Sequence, residues 1–294
     1  MSYGFDKLII LPSNGLEYDK YVYLSPVTYE YFLFGADTEN ESLTQTESLI
    51  SILRKYLKIP FPIHELYTQD LYYLWINFLG QILEDKYYLN GNCKRCNHKN
   101  KLAVNFADIS VNYYENSDVY KIFTIPNKDI EIKYRRRKVK DNLDFSLSNN
   151  SEELDFDQMI NYLIPQIVEI RYKNNTIPIK EAKELLKFQT NFKDLSELFI
   201  ENFIKNDFGI NNDIEYKCSS CSEINATQLF NDYGASMIVI ERNEEVLDKV
   251  DLFKTVLSIS KTPAATIDEI LKMPYRNIKD LLESLSKIEF QALF

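Results

Sequence analysis

Histidine is almost missing from this chain, with two in 294 residues, so the side chain that most often moves protons near neutral pH is scarcely on offer. Glycine is sparse as well, at seven. No Gly-rich phosphate-binding loop appears, and neither a serine elbow nor a His-Glu-x-x-His run occurs. Long apolar runs are also missing: Asp, Glu or Lys interrupts each one before the roughly 20 residues that a membrane-spanning helix needs. Positive charge is in deficit, 34 basic against 44 acidic residues, for a formal charge of −10. That balance repels phosphate backbones unless a local patch overrides it. Carboxylates such as Asp70 and Glu84 could pair in space, but no motif singles them out. The expectation is a protein that is neither a membrane span nor an enzyme.

What the chain does have is a core-forming composition and four cysteines. The apolar fraction is 45% and the aromatic fraction 14%, which suits a globular protein of one or two domains. The cysteines come as two Cys-x-x-Cys pairs, Cys93 with Cys96 and Cys218 with Cys221. Each pair sits in a polar turn between β-like segments. Two thiolates spaced in this way can both face a metal from one tight turn, whose backbone N–H groups then point at the sulfurs and hold them ionised. Two such pairs make a tetrahedral zinc site of four cysteines with no open position for water or substrate.

Well over a third of the chain separates Cys96 from Cys218. A shared ion would therefore close a long loop whose entropic cost otherwise falls on packing alone. Disulfides or buried free thiols are the alternatives. The N-terminus lacks a signal-peptide pattern and cysteine is rare, so a reduced, cytosolic chain with one zinc is expected. His98, two residues past Cys96, could replace a ligand, although a solvated loop histidine is the simpler reading. His64 has no assigned role.

The fold class read from the pattern is α+β: mixed helices and short antiparallel strands around a four-cysteine zinc site formed by the two distant CxxC knuckles. Residues 1–40 read as an N-terminal extended arm containing Lys7-Leu8-Ile9-Ile10-Leu11 and Tyr21-Val22-Tyr23-Leu24, able to add strands to a neighbour. Residues 41–235 read as a zinc-knuckle core in which 97–217 is a β-rich and helical insertion. Residues 236–294 read as a helical C-terminal region with Ile278, Leu281, Leu282, Leu285 and Ile288 on one stripe.

Within the core, helices are expected over 47–57, from Asp70 to Leu79, over 157–164, over 179–188 after Pro178, and over 195–205 behind an Asp194-x-x-Glu197 cap. Strands are expected at 120–126 and 130–134, with Ile130, Ile132 and Tyr134 on one face. Helix followed by knuckle occurs twice, at 71–98 and 195–223, as a weak internal duplication would produce. A basic run, Lys133, Arg135, Arg136, Arg137, Lys138 and Lys140, reads as a solvated strand flank, or as a contact for an acidic partner. No recognition helix or stacking platform adjoins it, which weakens a nucleic-acid reading.

The order of several segments resembles a known family. Leu24-Ser25-Pro26-Val27-Thr28, the helix at Asp70, the first Cys pair, Ile125-Pro126-Asn127 with Arg135 and Arg136 beyond it, Phe208-Gly209-Ile210 before the second pair, and Ile267-Asp268-Glu269-Ile270-Leu271-Lys272-Met273-Pro274 are together similar to the T4-like phage baseplate hub and hub-assembly proteins. The resemblance runs from about residue 20 to 288. It implies a non-enzymatic component of a contractile tail baseplate, located in the virion and assembled in the host cytoplasm, with other baseplate subunits as partners and zinc as a structural ion. A zinc-knuckle nucleic-acid-binding or regulatory protein, using Lys94, Arg95, Lys99 and Lys101 beside the 133–140 run, is the alternative.

Overall fold

The computed structural model describes residues 6–28, 45–81, 86–125, 127–143, 156–203, 207–211 and 213–229. The helical C-terminal region expected over 236–294 lies outside these residues.

Two hydrophobic cores organise the described chain, which combines helices with short antiparallel strands. In the first, β1 (Lys7–Ile10) pairs antiparallel with β2 (Tyr21–Leu24), and β2 pairs with the short β3 (Leu57–Lys58). Alternation along β2 buries Val22 and Leu24 and leaves Tyr21 and Tyr23 outside, as a half-buried sheet requires. Two helices cover the inner face, α1 (Gln45–Tyr56) and α2 (Thr68–Leu79). Their buried residues, Leu49, Leu53, Leu71, Leu74 and Phe78 among them, pack with Ile9, Leu11, Val22 and Leu24. The helix α2 is buried on more than one side, through Leu71, Leu74, Trp75, Ile76, Phe78 and Leu79.

Asp70 does not open α2. The helix begins at Thr68 after Tyr67, and the Asp70 carboxylate turns inward to accept a hydrogen bond from the Ser13 N–H at 2.9 Å and another from the Tyr18 hydroxyl at 2.5 Å.

The second core belongs to residues between the two Cys pairs. Its sheet is built from β7 (Tyr120–Ile125), β8 (Ile130–Arg135), β9 (Ile167–Tyr172) and β10 (Asn175–Ile177), four antiparallel strands in the order β10-β9-β8-β7. Ile130, Ile132 and Tyr134 do share its buried face. Against that face pack Met159, Ile160 and Leu163 of α4 (Phe156–Leu163), Ala182 and Leu186 of α5 (Ile179–Gln189), and Leu195 and Leu198 of α6 (Phe192–Phe203). A one-turn α3 (Lys140–Leu143) precedes them.

The helix α6 starts three residues earlier than expected, because its cap is Asn191 with Asp194. Each backbone N–H of that pair donates to the side-chain oxygen of the other, at 3.1 and 3.0 Å, a reciprocal cap one turn before Glu197. The β9–β10 hairpin was not expected at all. Its turn residues Lys173 and Asn174 both have positive φ, 49° and 64°, the geometry of a two-residue type I′ turn.

The basic run behaves differently from either reading of it. Arg135 forms a two-pronged pair with Asp141 at 2.7 and 2.6 Å. Arg136 is buried, pairs with Asp207 at 2.8 Å, and donates to the Tyr114 hydroxyl at 2.6 Å and to the Asp118 carbonyl at 2.7 Å. Arg137 lies 3.6 Å over the Tyr162 ring, and burial pushes its pKa down to about 9. Lys138 reaches Glu17 and Glu65, and Lys140 reaches Glu65. The acidic partners of this run are in the same chain, so these cations are not a free stripe for phosphates.

Candidate metal centre

Each knuckle is a β-hairpin whose turn is the Cys-x-x-Cys loop. The first is β4 (Lys86–Asn92) with β5 (Lys99–Asn105), and the second is β12 (Asp213–Lys217) with β13 (Ile224–Gln228). They hang from the first core through Leu89, Val104 and Leu229, with Leu102 and Ile214 packed beside them. The chain enters β12 through β11 (Gly209–Ile210), which pairs with β6 (Val111–Asn112). Gly209 has a φ of +108° and approaches Gln69 of α2 so closely that no room is left for a Cβ.

The two turns are built alike, residue for residue. Cys93 N–H donates to the His98 carbonyl at 3.0 Å and Asn97 N–H to the Cys93 carbonyl at 2.9 Å; Cys218 N–H donates to the Glu223 carbonyl and Ser222 N–H to the Cys218 carbonyl, both at 2.9 Å. Asn97 and Ser222, four residues after the first cysteine in each case, take the left-handed conformation with φ of 56° and 61°.

All four sulfurs lie within 4.8 Å of one another. The Cys93 and Cys221 Sγ atoms are 3.5 Å apart and the Cys96 and Cys218 Sγ atoms 3.7 Å apart, across 128 and 122 positions of sequence. A tetrahedron with zinc–sulfur bonds of about 2.3 Å has edges of about 3.8 Å, so the cluster is sized for an ion. The contacts are well beyond a disulfide bond of about 2.05 Å, and all four cysteines are free.

The electrostatics favour the thiolate at the two buried cysteines, Cys93 and Cys218. Although burial raises it, the Cys93 thiol is brought down to about 6 by the backbone N–H groups of Cys96 and Arg95. Cys218 is lowered by the Cys221 N–H, against burial, with further help from the Ser220 N–H and the Asn100 amide. Cys221 also faces a lowering backbone N–H, from Glu223, yet burial and three neighbouring sulfurs push it up to about 12. Four thiols crowded in this way are compatible with a shared metal ion. His98 contributes its carbonyl to the turn, and its ring is outside the cluster. Asp70 is committed to Ser13 and Tyr18, and Glu84 lies outside the described residues.

Two residues that the sequence reading passed over complete the arrangement. Asn100 and Asn225, both buried, stand seven positions after Cys93 and Cys218. Each crosses to the other hairpin: Ser219 N–H donates to Asn100 Oδ1 and Lys94 N–H to Asn225 Oδ1, both at 2.9 Å. The signal was present as a repeated Cys-x-x-Cys-x-x-x-Asn.

Gly91 is the other unremarked position. It stands two residues before Cys93, as Tyr216 does before Cys218, and the Tyr216 ring occupies the space a Gly91 side chain would need, with Cζ 2.7 Å from the ideal Cβ. Gly91→Ala is expected to cost about 1–3 kcal/mol of stability by overpacking. Thermal unfolding of the single variant and of a Gly91→Ala, Tyr216→Leu double variant checks this, the second being expected to recover part of the loss.

Two similar hairpins, remote in sequence and facing one another across four clustered thiols, define an α+β protein whose distant segments meet at a thiol centre. The chain belongs to the family of T4 bacteriophage base plate proteins, whose family model matches residues 8–233. That span holds both Cys pairs and both cores, and the membership makes this a phage baseplate component. No match is found among curated proteins or solved structures. None of the helices among the described residues is long and apolar enough to cross a membrane.

Proposed function

We propose that this protein is a non-enzymatic structural or assembly component of the hub region of a contractile phage tail baseplate, binding other baseplate subunits. It works in the virion tail after assembly in the host cytoplasm. The observation that carries this reading is the family match across residues 8–233, and the geometry of the thiol centre gives it a physical content.

Cys93, Cys96, Cys218 and Cys221 hold one zinc ion. The donor set fits: four thiols at tetrahedral spacing, turned inward from two rigid turns, are the ligands that a closed structural zinc takes. When bound, the ion supplies charge neutralisation and a cross-link, with no open position for substrate. The rest is done by the chain. The hairpins fix the sulfurs, and the first core fixes the hairpins through Leu89, Val104 and Leu229, so segments on both sides of the inserted second core keep one geometry for partner subunits to recognise.

Co-expression of the tagged full chain with the other central baseplate proteins of its phage, followed by size-exclusion chromatography and metal analysis, tests this reading. A hetero-oligomer with one zinc per copy of this chain is the expected result, together with no salt-dependent retardation of DNA or RNA. A chain that elutes alone in the presence of every central subunit overturns the hub assignment.

A further inference from the structure

We infer that Asn100 and Asn225 are a crossed pair of positioning residues that set the metal affinity of the four-cysteine centre, each by donating from its side-chain amide to the first cysteine of the opposite knuckle. The inference rests on the zinc reading above and goes beyond it, to residues that touch no metal themselves.

The orientation of each amide is fixed by its partners. A backbone N–H can only donate, so the Asn100 atom 2.9 Å from Ser219 N is the oxygen, which also accepts from the Ser219 hydroxyl at 3.0 Å. The same holds for Asn225 and Lys94 N at 2.9 Å. The remaining face of each side chain is therefore NH2, a pure donor. Asn100 Nδ2 points to Cys218 Sγ at 3.7 Å and to its own hairpin's His98 carbonyl at 3.1 Å; Asn225 Nδ2 points to Cys93 Sγ at 3.5 Å and to the Glu223 carbonyl at 3.0 Å. A weaker approach of Asn100 to the Gly91 carbonyl, at 3.4 Å, completes the set.

The pattern is thus reciprocal. Each asparagine grips its own turn through a carbonyl, the opposite turn through a backbone N–H, and the opposite buried sulfur through its amide. The arrangement serves only the first cysteine of each pair, Cys93 and Cys218, which are the two buried ones. Buried thiolates lose the most hydration and so gain the most from a fixed donor. Outer partners that hold and neutralise a metal's ligands typically account for about 10- to 100-fold in affinity.

Asn100→Asp and Asn225→Asp separate this role from mere docking. Either change keeps the size and the oxygen that accepts from Ser219 or Lys94, and replaces the NH2 facing the sulfur by a carboxylate oxygen that repels a thiolate. Zinc affinity would be measured by competition with a chromophoric chelator on the full chain. The wavelength of the sulfur-to-metal band would be read with Co2+, beside the thermal unfolding of each protein in excess chelator. Each variant is expected to bind zinc about 10- to 100-fold more weakly, with a shifted Co2+ band, while some loss of metal-free stability is also expected because the new oxygen faces the His98 or Glu223 carbonyl; the Co2+ band is the readout that docking alone would not move. The two losses are expected to multiply in the double variant.

Zinc binding by both variants within about threefold of the parent overturns the inference and leaves the zinc reading standing. A parent that binds no zinc through its four thiols overturns both. Failure of both variants to fold assigns the asparagines to docking alone and also overturns the inference, whereas failure of one leaves the other to decide.

Discussion

Replacing Cys218 by serine is expected to abolish zinc binding and to lower the melting temperature of the zinc-loaded protein by about 10 °C. The sulfur is buried and lies 3.7 Å from Cys96. Its thiolate is held by the Cys221 and Ser220 N–H groups and by the Asn100 amide, which serine cannot use in the same way, since its hydroxyl does not ionise. At free zinc a thousand times above the dissociation constant, a site present only in the folded state contributes about 4 kcal/mol. All of that is forfeited with one ligand. Metal content and scanning calorimetry, with and without chelator, give the measurement. The Cys93→Ser, Cys218→Ser double variant should unfold no more easily than the weaker single variant, because both changes destroy the same site. Additive losses, or one zinc per chain retained in the single variant, would sink the shared centre.

The thiol centre was legible because its grammar is local. Two cysteines three positions apart, in polar turns between alternating strands, leave few other meanings, and the structure brings all four sulfurs together. Periodicity located α2, α4, α5, β7 and β8 for the same reason, since each buries one stripe or one face. What was missed depends on contacts between distant segments. Of the carboxylates that the basic run at 133–140 meets, Asp141 adjoins it in sequence, whereas Glu17, Glu65 and Asp207 are brought in by the fold. Asn100 and Asn225 looked like ordinary hairpin residues, because a crossed hydrogen bond is invisible until both hairpins are placed. The β9–β10 hairpin was lost to the brevity of its second strand, three residues from Asn175 to Ile177. The shift at α6 is of another kind: Asn191-x-x-Asp194 and Asp194-x-x-Glu197 both have the form of a cap in sequence, and the reciprocal hydrogen bonds form at the first of them.

Asp70→Ala is expected to destabilise the protein by about 3–5 kcal/mol at neutral pH, independently of zinc. Its carboxylate is fully buried and is the acceptor for the Ser13 N–H and the Tyr18 hydroxyl, while Tyr18 in turn accepts from the Tyr67 N–H at 2.7 Å. Tyr67 passes the connection on to Glu17, and Glu17 to Lys138 at 3.1 Å. Alanine strands two buried donors at the centre of this chain of contacts, which joins the β1–β2 connection to the start of α2.

Asp70→Asn has a different signature, in pH. Burial raises the Asp70 pKa to about 6, against the pull of its hydrogen bonds from Ser13 and Tyr18. An unfolded chain releases the same proton at about 3.9. Between those two values the folded protein binds more protons than the unfolded one, so this group's contribution to stability falls as pH rises from about 4 to about 6 and is level above that. The fall is on the order of 2–3 kcal/mol. Asparagine does not titrate and lacks it. Denaturant unfolding of parent and Asp70→Asn protein, both in excess chelator to remove the metal's own pH dependence, should therefore show the parent gaining on the variant as pH is lowered from about 7 to about 4.5. A constant difference across that range would mean that Asp70 ionises inside the fold as readily as it does in water, and that water reaches a carboxylate shown here as sealed.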